Sequence, residues 1–440
     1  MTESPETTLP GHVERVARRA RGVSRELAGL SLETRNAALE YAAAQLEKNA
    51  AAILADNAED VRAAEALVRD GQMSPALLAR LRTSEKGVRD MAEKVRSVAR
   101  LPDPLGRKLA ATELDTGLVL TKESCPLGVV AVVFESRPDV IPQIASLALK
   151  SGNAAILKGG SEAARSNQAL ITIWRAALRA AHIAEDAAQL LDSRGQVQTL
   201  LGMEKEVDVL IPRGGKEFVA RIARESRIPV LGHGEGICHV YVHAAADFEK
   251  AARIVLDAKT DYPAACNAAE TLLVDASIAE KFLPSMIEKL HKAGVEVRGD
   301  KATQALMGLP GQRSLEENDW STEYGDLILA VRVVSGLDAA LEHIFQHGSR
   351  HTESIVTEDS GAAERFLNEV DAAGVYHNAS TRFADGYRYG LGAEVGISNG
   401  KLHSRGPMGL DGLTTYKYKL RGSGQTASDY KTKPFLHRPL

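Results

Sequence analysis

The chain has 440 residues, 44% of them apolar and 25% charged, with a formal net charge of −4; this length suffices for two or three domains around a sizeable core, and the composition excludes a disordered chain. Lys and Arg are interspersed with Asp and Glu, so neither a nucleic-acid surface nor a polybasic membrane surface is indicated, and a small metabolite is the expected partner. The opening MTESPETT has neither the basic start nor the apolar core of a secretory signal, and no apolar run approaches a membrane span. The expected location is the cytoplasm. Three cysteines, Cys125, Cys238 and Cys266, are too few and too widely spaced for a disulfide framework and form no Cys-x-x-Cys pair, so no metal site is expected.

Residues 12–100 are rich in Ala, Leu, Glu and Arg at helical spacing, with Leu39, Ala42, Ala43 and Leu46 on one stripe and Ile53, Leu54 and Val61 on the next. The cluster Arg15, Arg18, Arg19 and Arg21, flanked by Glu14 and Glu26, reads as a solvated helix face. Residues 111–122 (ATELDTGLVLTK) alternate apolar and polar, the pattern of strands with one exposed face. Short apolar runs at 129–134 (VVAVVF), 154–158 (AAILK), 207–211 (VDVLI) and 229–231 then alternate with helical stretches at 141–150 and 161–181. That alternation signals a parallel sheet covered on both faces, in which ligands bind beyond the carboxyl ends of the strands. Arg137 and Lys158 fall there.

Lys158 opens KGGSEA, where Gly159 and Gly160 permit a tight strand-to-helix turn and Ser161 is placed to cap the next helix. A lysine there is directed at a ribose or phosphate, or simply reaches solvent. A second turn, PRGGK (212–216), puts Gly214 and Gly215 before a helix at 217–227 whose amino end suits an anion. Neither turn is a G-x-G-x-x-G or a Walker loop, so any nucleotide site here departs from the standard one.

From 239–243 (HVYVH) the alternation starts afresh. A helix at 248–259 leads to DYPAACNAAETLLV (261–274), which holds Cys266 just before a buried strand at 271–274. Small neighbours (Ala264, Ala265, Ala268, Ala269) leave room beside the sulfur, and Asn267 offers a backbone and a side-chain amide to a developing oxyanion. No His or Lys stands next to Cys266 in sequence, so activation must come from the fold, and the plainer reading is a buried structural cysteine. A helix at 278–292, a strand near 295–297, an apolar run at 327–334, a helix at 338–347 and strands at 354–357 and 374–380 complete a second α/β domain. His347 and His351 are four apart, but Gly348 and Ser349 break the helix between them, which argues against a metal pair. The glycine-rich tail from Gly386 needs neighbours to order it, from other domains or another subunit.

Six motifs, CPLGVVAVVFESRPDV (125–140), SGNAAILKGGSEA (151–163), DYPAACNAAETLLV, VSGLDAALEHIFQHGSRHTESI (334–355), NASTRFADGYRYGLGAEVGIS (378–398) and RGPMGLDGLTTYKYKL (405–420), occur in one order along the chain. Together they resemble the gamma-glutamyl phosphate reductases, a family of the aldehyde dehydrogenase superfamily, over residues 37–425. The resemblance implies an α/β, aldehyde-dehydrogenase-like fold with two parallel-sheet domains and a small oligomerisation element: an NADP-binding domain at 1–240, with 109–125 partly in the oligomerisation element, a catalytic cysteine domain at 241–395, and a return and oligomerisation tail at 396–440.

It further implies NADPH-dependent reduction of L-glutamyl 5-phosphate to L-glutamate 5-semialdehyde and phosphate, the second step of proline biosynthesis, through a thioester on Cys266 with Asn267 beside it. The superfamily's water-activating glutamate lies in an E-L-G-G-K motif; here the stretch is LGHGEGICHVYV (231–242), with Gly232 at that position and Glu235 nearby. The rival that this leaves open is oxidation of a semialdehyde to a free acid, with Glu235 as base. FESRP (134–138) replaces the superfamily's P-W-N-F-P turn and introduces Arg137, assigned to the substrate's phosphate or α-carboxylate. Lys158 matches the ribose-binding lysine; Ser161, in place of a glutamate, favours NADP, because a 2′-phosphate meets less repulsion there. Gly159, Gly214, Gly215 and Glu323 (in STEYGD) complete the implied cofactor set. Arg382, Asp385 and Glu394 are candidates for the amino-acid head of the substrate. A homo-oligomer and a separate glutamate 5-kinase are the implied partners.

Overall fold

The computed structural model describes residues 9–192, 194–232, 234–307 and 315–440. Packing divides the chain into two compact units: unit 1 is Met1–Leu231 with Leu391–Gly396 and Met408–Leu440, and unit 2 is Gly232–Gly390 with Ile397–Pro407. The division thus passes between Leu231 and Gly232, where the sequence reading placed it at 240, and the stretch after Gly390 is shared between the units.

Unit 1 begins with helices Leu9–Leu27, Leu32–Lys48, Ala50–Arg69, Pro75–Leu81 and Glu85–Arg100. Three of them start on serine caps, Ser31, Ser74 and Ser84, each accepting from a backbone N–H three residues on. In the first helix Arg18 pairs with Glu14 on the surface, but Arg21 leaves the solvated face and grips Asp208 at 2.8 and 2.9 Å. Asp208 also accepts from Val129 N at 2.7 Å, so this pair pins the helix to the root of the central strand.

That strand, Val129–Phe134, is buried along its whole length and lies between Ala154–Lys158 and Val209–Arg213; Ala188–Leu191 follows Ala154–Lys158, and all pairs are parallel. The run at 229–231 contributes one parallel bridge, Val230 to Leu210. Ser161 does not cap the next helix; it opens a 3-10 turn, Ser161–Ala163, and the α-helix Ala164–Ala180 is capped by Asp60 of a different helix. Asp60 accepts from Arg165 N (3.2 Å), Ser166 N (2.8 Å) and Ser166 Oγ (2.7 Å). A separate antiparallel sheet runs in the order Thr414–Arg421, Leu118–Pro126, Lys108–Asp115, Arg438–Pro439, and its outer strand exposes Tyr416, Tyr418 and Leu420.

Unit 2 is built on six parallel strands in the order Gly374–His377, Thr352–Val356, Cys238–Val242, Ala269–Asp275, Ile328–Val334, Glu296–Gly299. Helices Phe248–Thr260 and Ala276–Lys292 cover one face through Val240, Leu272 and Phe282. On the other face Tyr241 and Leu273 meet Ile344 of helix Leu337–His347 and Phe366 of helix Ser360–Glu369. Alternate residues of one strand therefore feed two cores, which is why these strands read as continuous apolar runs. Among the described residues no helix is long and apolar enough to cross a membrane.

Candidate active site

In unit 1 the expected cofactor residues gather where three adjacent strands end. Lys158 is 4% exposed and its Nζ donates to Gly159 O. A methyl group built on Gly159 would overlap Asn167 Nδ2 and stand 3.0 Å from Phe134 Cε2, and one built on Gly160 would overlap the Glu162 carboxylate. A side chain at either position would first have to displace the ends of Asn167 and Glu162. Glu162 is held there by Ser136, whose N–H and Oγ donate to Oε1 at 2.8 and 2.7 Å; Ser136 has φ +38° in a nearly inaccessible position, a strained backbone fixed by these two bonds.

The other turn meets the same loop. A methyl group on Gly214 would come within 2.6 Å of Glu135 Oε2 and 2.8 Å of Phe218 Cδ1, whereas one on Gly215 would meet nothing within 4 Å. Gly215 caps helix Lys216–Glu225 without a side-chain partner, and its N–H donates to Glu135 Oε2 at 3.4 Å. The anion expected at that helix start is thus approached by a carboxylate of the protein itself. Arg137 of the same loop is half-exposed, with Nη2 3.5 Å from Asp139 Oδ2. Lys158, Gly159, Ser161, Arg137, Gly214 and Gly215 are brought together at one end of one sheet.

In unit 2 Cys266 lies in the turn between helix Phe248–Thr260 and strand Ala269–Asp275 and is half-buried. The turn is tied at both ends. At one end Asp261 Oδ2 accepts from Arg382 Nε (3.1 Å) and Arg388 Nη2 (2.9 Å), and Arg388 Nη1 donates to Arg382 O. The Arg388 hydrogen bond, against a smaller cost of burial, holds the Asp261 carboxyl below its ordinary range. At the other end Asn267 Nδ2 donates to Ala384 O at 2.8 Å, while its buried Oδ1 and its backbone N–H find no partner among the described residues. Asp385 Oδ1 accepts from Tyr387 N and Arg388 N at 2.9 and 3.1 Å and so shapes the loop that carries Arg382.

Two residues that sequence reasoning did not single out stand behind the thiol. A methyl group on Gly236 would overlap the Cys266 carbonyl oxygen and lie 2.6 Å from Cys266 Cα, so this glycine is the surface on which the Cys266 backbone rests. Cys238 Sγ donates to the same carbonyl at 3.4 Å; it is fully buried, and burial pushes its thiol well above the ordinary range, which keeps it a neutral donor. Glu323 lies in the segment before strand Ile328–Val334, in the same unit as the thiol. Glu394 lies in unit 1, where its carbonyl accepts from Gln143 Nε2 at 2.7 Å. Asp261 was legible, since it opens the DYPAACN motif; Gly236 and Glu135 owe their roles to contacts distant in sequence.

Comparison with known proteins agrees with this architecture. Residues 5–308 match the model of the aldehyde dehydrogenase family. A gamma-glutamyl phosphate reductase of Synechococcus sp. (strain JA-3-3Ab) is 54% identical over 88% of this chain and 86% of its own length, and that of Cyanothece sp. (strain PCC 7425) is 50% identical over 99% of each. The crystal structure of the gamma-glutamyl phosphate reductase from Thermotoga maritima superposes with a TM-score of 0.90 at 38% identity, covering 94% of this chain and 99% of that one. With a thiol fixed before a buried strand, two glycine turns at a second sheet, and this likeness over nearly its full length, the chain belongs to the aldehyde dehydrogenase family and, within it, to the gamma-glutamyl phosphate reductases.

Proposed function

We propose that the protein reduces L-glutamyl 5-phosphate to L-glutamate 5-semialdehyde with release of phosphate, the second step of proline biosynthesis, with NADPH as reductant. The observation that carries this reading is the thiol turn clamped at Asp261 and Asn267 and backed by Gly236, which sets Cys266 in one place. The Cys266 thiolate forms a C–S bond to the glutamyl carbonyl carbon as the C–O bond to phosphate breaks, and phosphate leaves with the bonding pair. The acyl group is then held as a thioester, and the thiolate is regenerated when the C–S bond breaks. The backbone N–H of Asn267 is the donor for the oxyanion, its side chain being tied to Ala384.

When bound, the reduced nicotinamide supplies the hydride. The residues present fit such a cofactor: Lys158, Gly159 and Ser161 form a tight cationic turn, Gly215 has open space where a side chain would stand although its N–H is held by Glu135, and Glu162, although acidic, is tied back by Ser136. Glu323 is assigned to the nicotinamide ribose. Arg137 is assigned to a substrate anion, and Arg382 and Asp385, fixed beside the thiol turn, to the amino-acid head. The exposed tyrosines of the antiparallel sheet support a homo-oligomer, and the unstable acyl phosphate calls for a separate kinase as its source. A cytoplasmic location accords with this chemistry.

The reverse reaction tests the reading: phosphate-dependent reduction of NADP with 1-pyrroline-5-carboxylate, the cyclised product. Wild type is expected to turn over only with phosphate present, and Cys266→Ala to lose turnover by about a thousandfold or more. Full turnover in the alanine variant, or turnover independent of phosphate, would overturn it.

A further inference from the structure

The Cys266 turn has a closure at its base that the mechanism above does not use. Lys259, at the end of the helix that leads into the turn, and Glu270, in the strand that leaves it, are exposed by 0 and 1% respectively, and Lys259 Nζ stands 2.7 Å from Glu270 Oε2. The second oxygen of Glu270 accepts from Gly325 N at 3.2 Å. Gly325, at φ +60°, turns the segment that carries Glu323. One buried carboxylate therefore touches the two stems of the nucleophile's turn and the turn of the residue assigned to the nicotinamide ribose.

We propose that the Lys259–Glu270 ion pair is a positioning element for the reduction: it fixes the Glu323 segment to the base of the Cys266 turn, so that nicotinamide and thiol are held by one rigid piece of unit 2. This rests on the reading of Cys266 as nucleophile and Glu323 as ribose contact. An ion pair is a weak choice for stability alone, since two buried charges replaced by well-packed neutral groups often cost nothing; its oxygen on Gly325 gives it a further purpose. Burial pushes the Glu270 carboxyl up to about 7 and lowers Lys259, each opposed by the attraction of the other. Asp326 of the adjoining segment and Cys238 of the neighbouring strand also act on Lys259, and Glu323 acts on Glu270. Because the folded value lies above the ordinary one, the carboxylate is lost as pH falls through about 7, and the hold on Gly325 weakens on the acid side.

Glu270→Gln keeps the shape and an oxygen for Gly325 but removes the charge. The expected result is a KM for NADPH raised about tenfold and a lowered kcat, with inhibition by 2′,5′-ADP unchanged, because that probe lacks the nicotinamide half. In wild type the KM for NADPH is expected to rise between about pH 8 and about pH 6, and in Glu270→Gln to be flat. If the single variant does not fold, Lys259→Met combined with Glu270→Gln leaves no unpaired charge and serves instead, with the same raised KM expected. A folded variant with wild-type KM and wild-type pH dependence overturns the proposal; a wild type without phosphate-dependent turnover overturns the reading beneath it.

Discussion

Both units hold a parallel sheet between helices, yet the Lys158 turn of one and the Cys266 turn of the other lie at opposite ends of their strands. In unit 1 Arg137, Lys158 and Gly214 follow the strands Val129–Phe134, Ala154–Lys158 and Val209–Arg213, at the carboxyl ends where open α/β sheets bind ligands and where helices begin. In unit 2 Cys266, Gly236 and Glu323 all precede strands, and the helix nearest in sequence to the thiol, Phe248–Thr260, points its carboxyl end toward the turn. A nucleotide gains from backbone N–H groups at helix starts. A thiol that must be exposed and placed gains instead from a turn braced by neighbours, and the braces of the Cys266 turn, namely Arg382, Arg388, Cys238, the Gly236 surface and the Ala384 carbonyl, all lie in unit 2.

The sharpest way to break this contrast is to disturb the brace while leaving the other sheet intact. Gly236→Ala forces a methyl group into the Cys266 carbonyl and Cα, so the turn must move by roughly an ångström. A displacement of that size is expected to lower kcat by about 100-fold, with inhibition by 2′,5′-ADP, whose proposed place is the Lys158 turn of unit 1, unchanged. If the methyl group left kcat within about threefold of wild type, the Gly236 surface would not be what sets the nucleophile.

The same contrast explains what could be read ahead of the structure. Val129–Phe134 and Ala154–Lys158 were legible to the residue because each is a short buried run, the second of them ending at a glycine. Ala188–Leu191, only four residues long and directly following a single 3-10 turn, carries too little pattern to declare itself, and the run at 229–231 forms one bridge only. The places of Cys266, in a turn before a buried strand, and of Lys158, at the end of one, were legible because each lies in a local pattern of apolar and small residues. Gly236 was not, since its need for a missing side chain arises from a residue thirty positions on, and the expected Ser161 cap gave way to Asp60 because the competing acceptor comes from another helix, about a hundred residues away.

Lys158→Ala sharpens the comparison from the other side. Loss of a buried cation at the strand end is expected to weaken 2′,5′-ADP about tenfold, in line with the strength of hydrogen bonds to charged groups. Alkylation of Cys266 by iodoacetamide should proceed at the wild-type rate. A changed alkylation rate with unchanged 2′,5′-ADP affinity would reverse the assignment of the two sheets.

The smallest effect is expected where unit 1 is held together without touching either set of candidate residues. Asp60→Ala removes three hydrogen bonds at the start of helix Ala164–Ala180, two from backbone N–H groups that no helical carbonyl can satisfy. A lost amino-terminal cap costs about 1–2 kcal/mol, and thermal or urea unfolding followed by circular dichroism should show it as a lower midpoint. Turnover and Cys266 alkylation, measured well below that midpoint, should not change, because the helix backs the sheet and the thiol turn is braced entirely within unit 2. If Asp60→Ala instead slowed turnover at full folding, the helix start would belong to the cofactor turn that immediately precedes it, and the line drawn here between support and chemistry in unit 1 would have to move to include residues 161–166.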